Sequence, residues 1–395
     1  MQWLWEWLGF VGGFLLILTT VGSIIGSIIV PRSATSAITY RSWQAVHGAY
    51  SLVARRFPTY DQQDRILVSL GPVAILFNLG VWVIFFLVGY ALMFLPFIHG
   101  EIGTALWLSG SSIFTLGVAS SAQPGPIMLE FIAAATGLTV IALLIGYLPT
   151  IYGAYNRRET LVTALSSRAG DPAWGPEILI RHQLDGSLPT LRALYPAWEA
   201  LAADIAESHS SYPWLVVFRS PDALHSWVTS LLGVLDSAAL FLALAPTQAP
   251  MEAGQCLRMG FLCMRKIAKI TGQSVNDDPR PNDPITLTYA QFAHAVGLLQ
   301  QAGFPIEKTT EAAWIDFKGW RVNYEAAAYI LAEFVVAVPA PWSGNRHNMS
   351  TSVIDVLKRR PRHRTPDDPE GERVRRLNDG TDANMAQTPH AETVG

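Results

Sequence analysis

Three apolar stretches in the first 155 residues constrain the chain more than anything else in it. Phe10 to Val30, Leu67 to Leu95 and Ile127 to Ile151 carry no charged residue apart from Glu130. Each reaches the roughly 20 helical residues needed to cross a hydrocarbon core of about 30 Å. Lipid offers the backbone no hydrogen-bond partner, so such stretches must be helices, whose N–H and C=O groups pair within the segment. The first could be read as a cleaved leader, because Ser33, Ala34, Thr35, Ser36 and Ala37 offer small residues after it. No Lys or Arg precedes it and its apolar run is too long for a leader, so a retained anchor is expected.

Cytoplasmic loops carry the Lys and Arg excess. The segment after the first stretch holds Arg32, Arg41, Arg55, Arg56 and Arg65, whereas Pro96 to Gly125 holds neither Lys nor Arg. The expected orientation therefore has the N-terminus outside, with Trp3, Trp5 and Trp7 at headgroup level, and the remainder inside. Arg157 and Arg158 close the third stretch on the inner side, and the multi-pass protein is expected in the plasma membrane.

Between the second and third stretches lies Gly103 to Ser120, reading GTALWLSGSSIFTLGVAS. It is apolar enough to enter a bilayer and too short to cross it and return. Non-helical backbone at membrane depth is tolerated only where protein buries it or where it lines a watery cavity. A re-entrant helix followed by an extended loop satisfies that constraint.

Ser111, Ser112, Ile113, Phe114, Thr115, Leu116 and Gly117, followed by the apolar run Gly137 to Glu159, resemble the pore module of potassium-channel-like proteins of bacterial type. The resemblance covers Leu67 to Arg158. It implies an outer helix, a pore helix, a filter and an inner helix, assembled as a homotetramer that conducts monovalent cations, potassium first among them. By this resemblance Thr115, Leu116, Gly117, Val118 and Ala119 occupy the five selectivity-filter positions, and the hinge of the inner helix falls at Gly137, where a glycine serves close helix packing equally well, with Gly146 and Pro149 as further weak points. A filter lines its axis with backbone carbonyls, and its glycines permit left-handed backbone angles. Here the second glycine is Ala119, so a strained Ala119 is expected, at about 1 to 2 kcal/mol. Val118 stands where a tyrosine hydroxyl would brace the loop, and Ser120 where an aspartate would mark the mouth. Thr115 is expected nearest the ion path, the alternative being a threonine that simply ends a buried short helix. Glu130, in the first turn after Pro126, is either a carboxylate at the outer mouth, a brace behind the filter, or a cap on the positive helix end.

From about Tyr155 the chain turns mixed in polarity, with helical periodicity predicted over Arg157–Arg168, Leu188–Ser208, Asp222–Ala245, Ala253–Thr271, Thr288–Ala302 and Thr310–Ala337. Thr288 and Thr310 are candidate caps. Trp227 to Leu244 is long enough for a fourth span, but Asp236 at its centre is costly in lipid, by about 2.5 kcal/mol or more. A buried core helix is expected there. The net charge of -3 excludes a nucleic-acid footprint. Cys256 and Cys263, seven apart on one helix face, read as reduced core residues. No phosphate loop, nucleophile elbow or HExxH motif appears, so no cofactor, metal or catalytic residue is assigned and the chain is not read as an enzyme. Glu207, His209 and His225 are a weak candidate cluster, as are Arg181 and His182.

The expected fold is an all-α membrane protein of three spans with a re-entrant helix and filter loop. Its parts are an N-terminal anchor (1–30), a cytoplasmic linker (31–66), a pore module (67–155), a helical cytoplasmic domain (156–345) that is a candidate gate, and a disordered tail (346–395). In that tail Lys358, Arg359, Arg360, Arg362 and Arg364 offer a basic cluster beside the acidic stretch Asp367 to Glu372. The alternative to a conducting pore is a membrane-anchored sensor or scaffold on the same architecture.

Overall fold

A computed structural model describes residues 2–29, 36–344 and 364–372. Arg32, the small residues 33–35 and most of the tail, including the cluster from Lys358 to Arg362, lie outside the described residues. The described chain is helical throughout and contains no strand, only an isolated bridge between Thr365 and Asp368. In chain order the α-helices are α1 Gln2–Ile24, α2 Ala37–Ala54, α3 Tyr60–Leu67, α4 Leu70–Phe94, α5 Ile102–Ile113 and α6 Pro124–Ala169, followed by α7 Gly175–Leu184 and α8 Leu191–Ser211. The last five are α9 Trp227–Leu244, α10 Met251–Ile270, α11 Tyr289–Gln301, α12 Thr310–Arg321 and α13 Glu325–Phe334. They group into two units. One comprises Met1–Val53 and Ser69–Gly153; the other comprises Ala54–Val68 and everything from Ala154.

In the first unit α1 lies along α4. Their backbones meet at Gly13, where a Cβ would come within 2.9 Å of the Leu92 Cβ. Such close approach through small residues is how helices associate where lipid leaves no hydrophobic driving force between them. Polar side chains fasten the lower end of the pair. Trp82 Nε1 donates to Ser23 Oγ at 3.0 Å, Ser23 Oγ lies 2.5 Å from Ser36 Oγ, and Ser27 Oγ lies 2.8 Å from Thr39 Oγ1. These bonds tie the end of α1, which finishes in a π-helical turn over Ile25–Ile29, to the start of α2.

Four helices are long and apolar enough to cross a membrane: those covering Trp3–Ile28, Tyr60–Phe97, Pro124–Ala169 and Trp227–Leu244. Length and composition thus add α9 to the three expected from the sequence. Burial sets it apart, since 94% of its apolar window is buried inside the chain, against 28%, 44% and 22% for the others. In the second unit α9 is enclosed by α7, α8, α10, α12 and α13, leaving no face for lipid.

Asp236 on α9 is doubly partnered there through Oδ1. Arg321 Nη1 pairs with its Oδ1, and the Tyr324 hydroxyl donates to the same oxygen at 2.8 Å. Arg321 in turn donates to Glu325 Oε2 at 2.6 Å, to the Trp342 carbonyl at 2.7 Å and to the Tyr329 hydroxyl at 3.0 Å. Burial pushes the Asp236 carboxyl up to about 6, which leaves it ionised at neutral pH beside Arg321. Burial opposes the guanidinium charge as well, but Asp236 and its neighbours hold Arg321 well above its ordinary value.

A second buried cluster centres on Arg158. Arg158, which follows the third apolar stretch, is wholly buried in the second unit. It donates to Glu159 Oε1 at 2.8 Å, to the carbonyls of Leu215 at 2.8 Å and Phe218 at 2.6 Å, and its Nη1 lies 2.9 Å from His209 Nε2. Burial, with Arg158 alongside, holds His209 well below its usual range, so its ring is neutral and Nε2 accepts. Arg157 instead faces solvent and pairs with Asp204 at 2.8 Å.

Several sequence boundaries move. The single helix expected over Thr310–Ala337 breaks between Arg321 and Glu325 into α12 and α13, and Thr309 rather than Thr310 caps α12, accepting from Ala312 N. Thr288 does cap α11, in a reciprocal box with Gln291. Cys256 and Cys263 are free thiols buried on α10. The stretch read as a linker contains α2 and α3, and α7 went unread because its ten residues carry no clean apolar periodicity.

Removing one member of a fully buried ion pair strands the other. Asp236→Asn is therefore expected to destabilise the second unit by about 3 to 5 kcal/mol, read as a large fall in thermal unfolding midpoint of the purified protein. A change close to zero would show that the pair carries no such burden.

Candidate functional site

The site is the segment joining α5 to α6, and its depth follows from two contacts. Ser109 on α5 donates to the carbonyl of Leu87 on α4 at 2.8 Å. At its far end α5 abuts α6 at Gly137, where a Cβ would fall 2.9 Å from the carbonyl carbon of Ile113 and 3.2 Å from its Cα. Gly137 lies thirteen residues past the start of α6, about 20 Å along the helix at 1.5 Å per residue. α5 therefore ends deep beside α6, and ten residues, 114 to 123, return the chain to Pro124. Tyr90 adds a third tie between α4 and α6, its hydroxyl 2.7 Å from Thr136 Oγ1.

α5 ends where the backbone turns left-handed. Thr115 has φ 52°, its N–H donates to the Ser112 carbonyl at 3.0 Å, and the Leu116 N–H donates to the Ser111 carbonyl at 2.8 Å. This pair of bonds is the Schellman arrangement, whose left-handed position normally takes glycine. Thr115 fills it with a β-branched side chain, at a strain of about 1 to 2 kcal/mol. Gly117, with φ 67°, is the second left-handed residue of the loop. The expectation that Ala119 carries the strain is therefore corrected: Ala119 is not left-handed, and the strained non-glycine is Thr115. The Thr115 hydroxyl donates to the Phe114 carbonyl at 2.8 Å.

Two side chains hold the returning strand of the loop. Ser111 Oγ donates to the Ala119 carbonyl at 2.9 Å and accepts from the Ala119 N–H at 3.0 Å, so one hydroxyl satisfies both backbone groups of that residue. Glu130 Oε1 accepts from the Ser121 N–H at 2.7 Å and Oε2 from the Ser120 hydroxyl at 3.0 Å. Of its three possible roles, the contacts of Glu130 are those of a brace on the loop. Between these anchors Phe114, Leu116 and Val118 are 51%, 62% and 60% exposed; Thr115 and Gly117 are exposed as well, and Ala119 is half-buried.

The two glycines of the inner helix separate. Gly137 is filled by the Ile113 backbone, a packing contact, while Gly146 has no atom within 4 Å of where a Cβ would stand. α6 also runs unbroken through Pro149.

In the second unit the weak clusters come apart. His209 is buried against Arg158, Glu207 is exposed, and His225 Nε2 lies 3.0 Å from Asp171 Oδ1. Arg181 pairs with Glu177 within α7, and His182 Nδ1 lies 2.7 Å from the Ile178 carbonyl. Among the described residues no group of His, Cys, Asp and Glu is arranged to hold a metal ion. An unforeseen cluster forms around Arg219. Its Nε lies 2.5 Å from Asp64 Oδ1, its Nη2 2.9 Å from the Tyr60 hydroxyl and its Nη1 2.8 Å from the Val335 carbonyl. Tyr60 also donates to the Ala223 carbonyl at 2.8 Å. Only the fold brings together residues 155 positions apart, and nothing local marks Arg219.

Gly137→Ala forces a methyl into backbone and is expected to cost about 2 kcal/mol or more, whereas Gly146→Ala stays within about 0.5 kcal/mol; unfolding of the purified protein in detergent compares them. Equal effects would show that α5 does not seat on Gly137. Thr115→Gly relieves the left-handed strain and is expected to stabilise by about 1 kcal/mol in the same measurement.

No protein-family model, no curated protein and no solved structure matches the chain.

Proposed function

We propose that the chain is a subunit of a homotetrameric membrane pore that conducts monovalent cations, potassium first among them, through the loop Thr115–Ala119. The observation that carries this reading is the depth of the loop. Its exposed, non-helical backbone starts about 20 Å along α6, alongside two helices apolar enough to span a bilayer. Lipid cannot satisfy such a backbone, so other subunits or water must. A single copy encloses nothing, which is why four copies about an axis belong to the reading. The C-terminal end of α5 directs its negative dipole end toward the loop, favouring cations.

In this reading α1, α4 and α6 cross the plasma membrane, α5 is re-entrant, the N-terminus is outside and the second unit is cytoplasmic. The enclosed α9 is a core helix of that unit and not a span. Gating by the second unit rests on chain connectivity. Arg219 fixes α3 within that unit, and α3 ends at Leu67, just before α4 starts at Leu70. The other connection is α6 itself, whose residues from Ala154 belong to the second unit. The unit thus holds the chain immediately before the outer helix and immediately after the inner one.

The alternative is a non-conducting anchored sensor or scaffold, favoured by the aliphatic Leu116 and Val118 that the loop leaves exposed. Ion flux into liposomes holding the purified protein separates the two. Flux of potassium, sodium and a large cation is expected in graded order, lost to background in Gly117→Asp and reduced with altered ranking in Glu130→Gln, which weakens the hold on Ser120 and Ser121. A folded tetramer without flux across voltage, pH and calcium would overturn conduction and leave the scaffold.

A further inference from the structure

Helix α2 is the one long helix of the first unit that is not a candidate span, and it leaves a continuous face uncovered. Ala37, Tyr40, Arg41, Gln44, Ala45, Gly48, Ala49, Leu52 and Val53 are all exposed, at the alternating spacing of three and one that follows a single side of a helix. The opposite side packs inward, with Thr39, Ser42 and Val46 buried and Thr39 bonded to Ser27 of the π-helical turn. Most of the uncovered face is apolar. Tyr40 is 51% and Leu52 64% exposed.

The charge around this face has one sign. From Glu6 to Asp61 the sequence contains no Asp or Glu between them, while Arg32, Arg41, Arg55 and Arg56 all lie in that interval. The chain enters α2 from α1 and reaches α4 through α3; α1 and α4 are both apolar enough to span, so in the orientation above the two keep α2 near the bilayer. A mostly apolar helical face with Tyr40 at its edge, and Arg41 reaching from it on a long apolar stem, held at that level, matches a helix lying in the headgroup layer of a membrane.

We propose that α2 lies in the cytoplasmic membrane surface, with Ala45, Ala49, Leu52 and Val53 in the acyl boundary and Arg41 on the phosphate of anionic phospholipid. The inference rests on the membrane orientation above and is independent of conduction. Arginine suits a phosphate, which it meets with paired donors, and a basic side chain at an anionic surface shifts occupancy by about five-fold.

The test uses the full chain reconstituted in vesicles of phosphatidylcholine, with or without phosphatidylglycerol. Cys256 and Cys263 are buried, so a cysteine introduced as Ala49→Cys is selectively labelled with an environment-sensitive fluorophore. The expected result is blue-shifted emission quenched by nitroxide-bearing lipid and little affected by aqueous iodide. Anionic lipid should strengthen this, and Arg41→Glu should lower the ratio of lipid-embedded to aqueous label about five-fold in anionic vesicles only. A label quenched by iodide regardless of lipid would overturn the proposal. So would a label shielded from both quenchers, which would place a second copy of the chain on this face. Vesicles lacking ion flux but showing the lipid-quenched label would remove the conduction reading and leave this one standing.

Discussion

The geometry of the loop depends on one backbone-to-backbone contact. Residue 137 has no side chain, and the carbonyl of Ile113 occupies the space where one would be. That contact sets how far α5 descends beside α6, and the descent sets how much chain must climb back to Pro124. The climb is made in a non-helical conformation that neither helix can satisfy, so Ser111 and Glu130 supply hydrogen bonds to Ala119, Ser120 and Ser121. Depth, loop length and the two anchors are thus consequences of one another. The left-handed turn at Thr115 is the point where this arrangement stores strain, and the neighbouring bonds from Thr115 and Leu116 back to α5 hold it in place.

The second unit solves a different problem. α9 is apolar enough to insert into lipid, yet it forms the centre of a helical core. Asp236 decides the matter, because its carboxylate finds Arg321 and Tyr324 on neighbouring elements of the same unit. In hydrocarbon such a group would have to find partners or neutralise itself. Buried pairs of this kind contribute little net stability, because desolvation offsets the attraction. They do make the alternatives expensive: a core that shifted register would strand Arg321, Glu325 or Asp236 without partners. Arg158 plays the same part against His209 and two carbonyls.

The long apolar helices were legible in the sequence because lipid imposes a length and an apolarity that composition alone displays. The short helix and its loop were legible for the same reason, through the mismatch between their apolarity and their length. α9 was placed correctly as a buried helix by the cost of one aspartate. Conformation within the loop was not legible. Residue type pointed to Ala119 as the strained position, whereas the hydrogen bonding that closes α5 put the left-handed angle at Thr115. Gly137 read equally as a hinge or a contact on sequence grounds, and only the position of Ile113 shows the contact. Arg158 read only as the positive charge that closes the third apolar stretch, and nothing local announced its burial against His209. Arg219 carried no signal at all, since its partners on α3 lie on the far side of the membrane module in sequence.

That last arrangement has a consequence for how the molecule comes to exist. The second unit is not contiguous: residues 54–68 belong to it, and all of α4, α5 and most of α6 are made before its next residue, Ala154, appears. A ribosome therefore delivers Tyr60 and Asp64 long before Arg219 exists to receive them. During that interval α3 waits without its partners while α4, α5 and α6 are made. Completion of the second unit's core is thereby made the last event of folding, after α4 and α5 have been made. A fragment beginning beyond α6 would lack part of its own core from the outset.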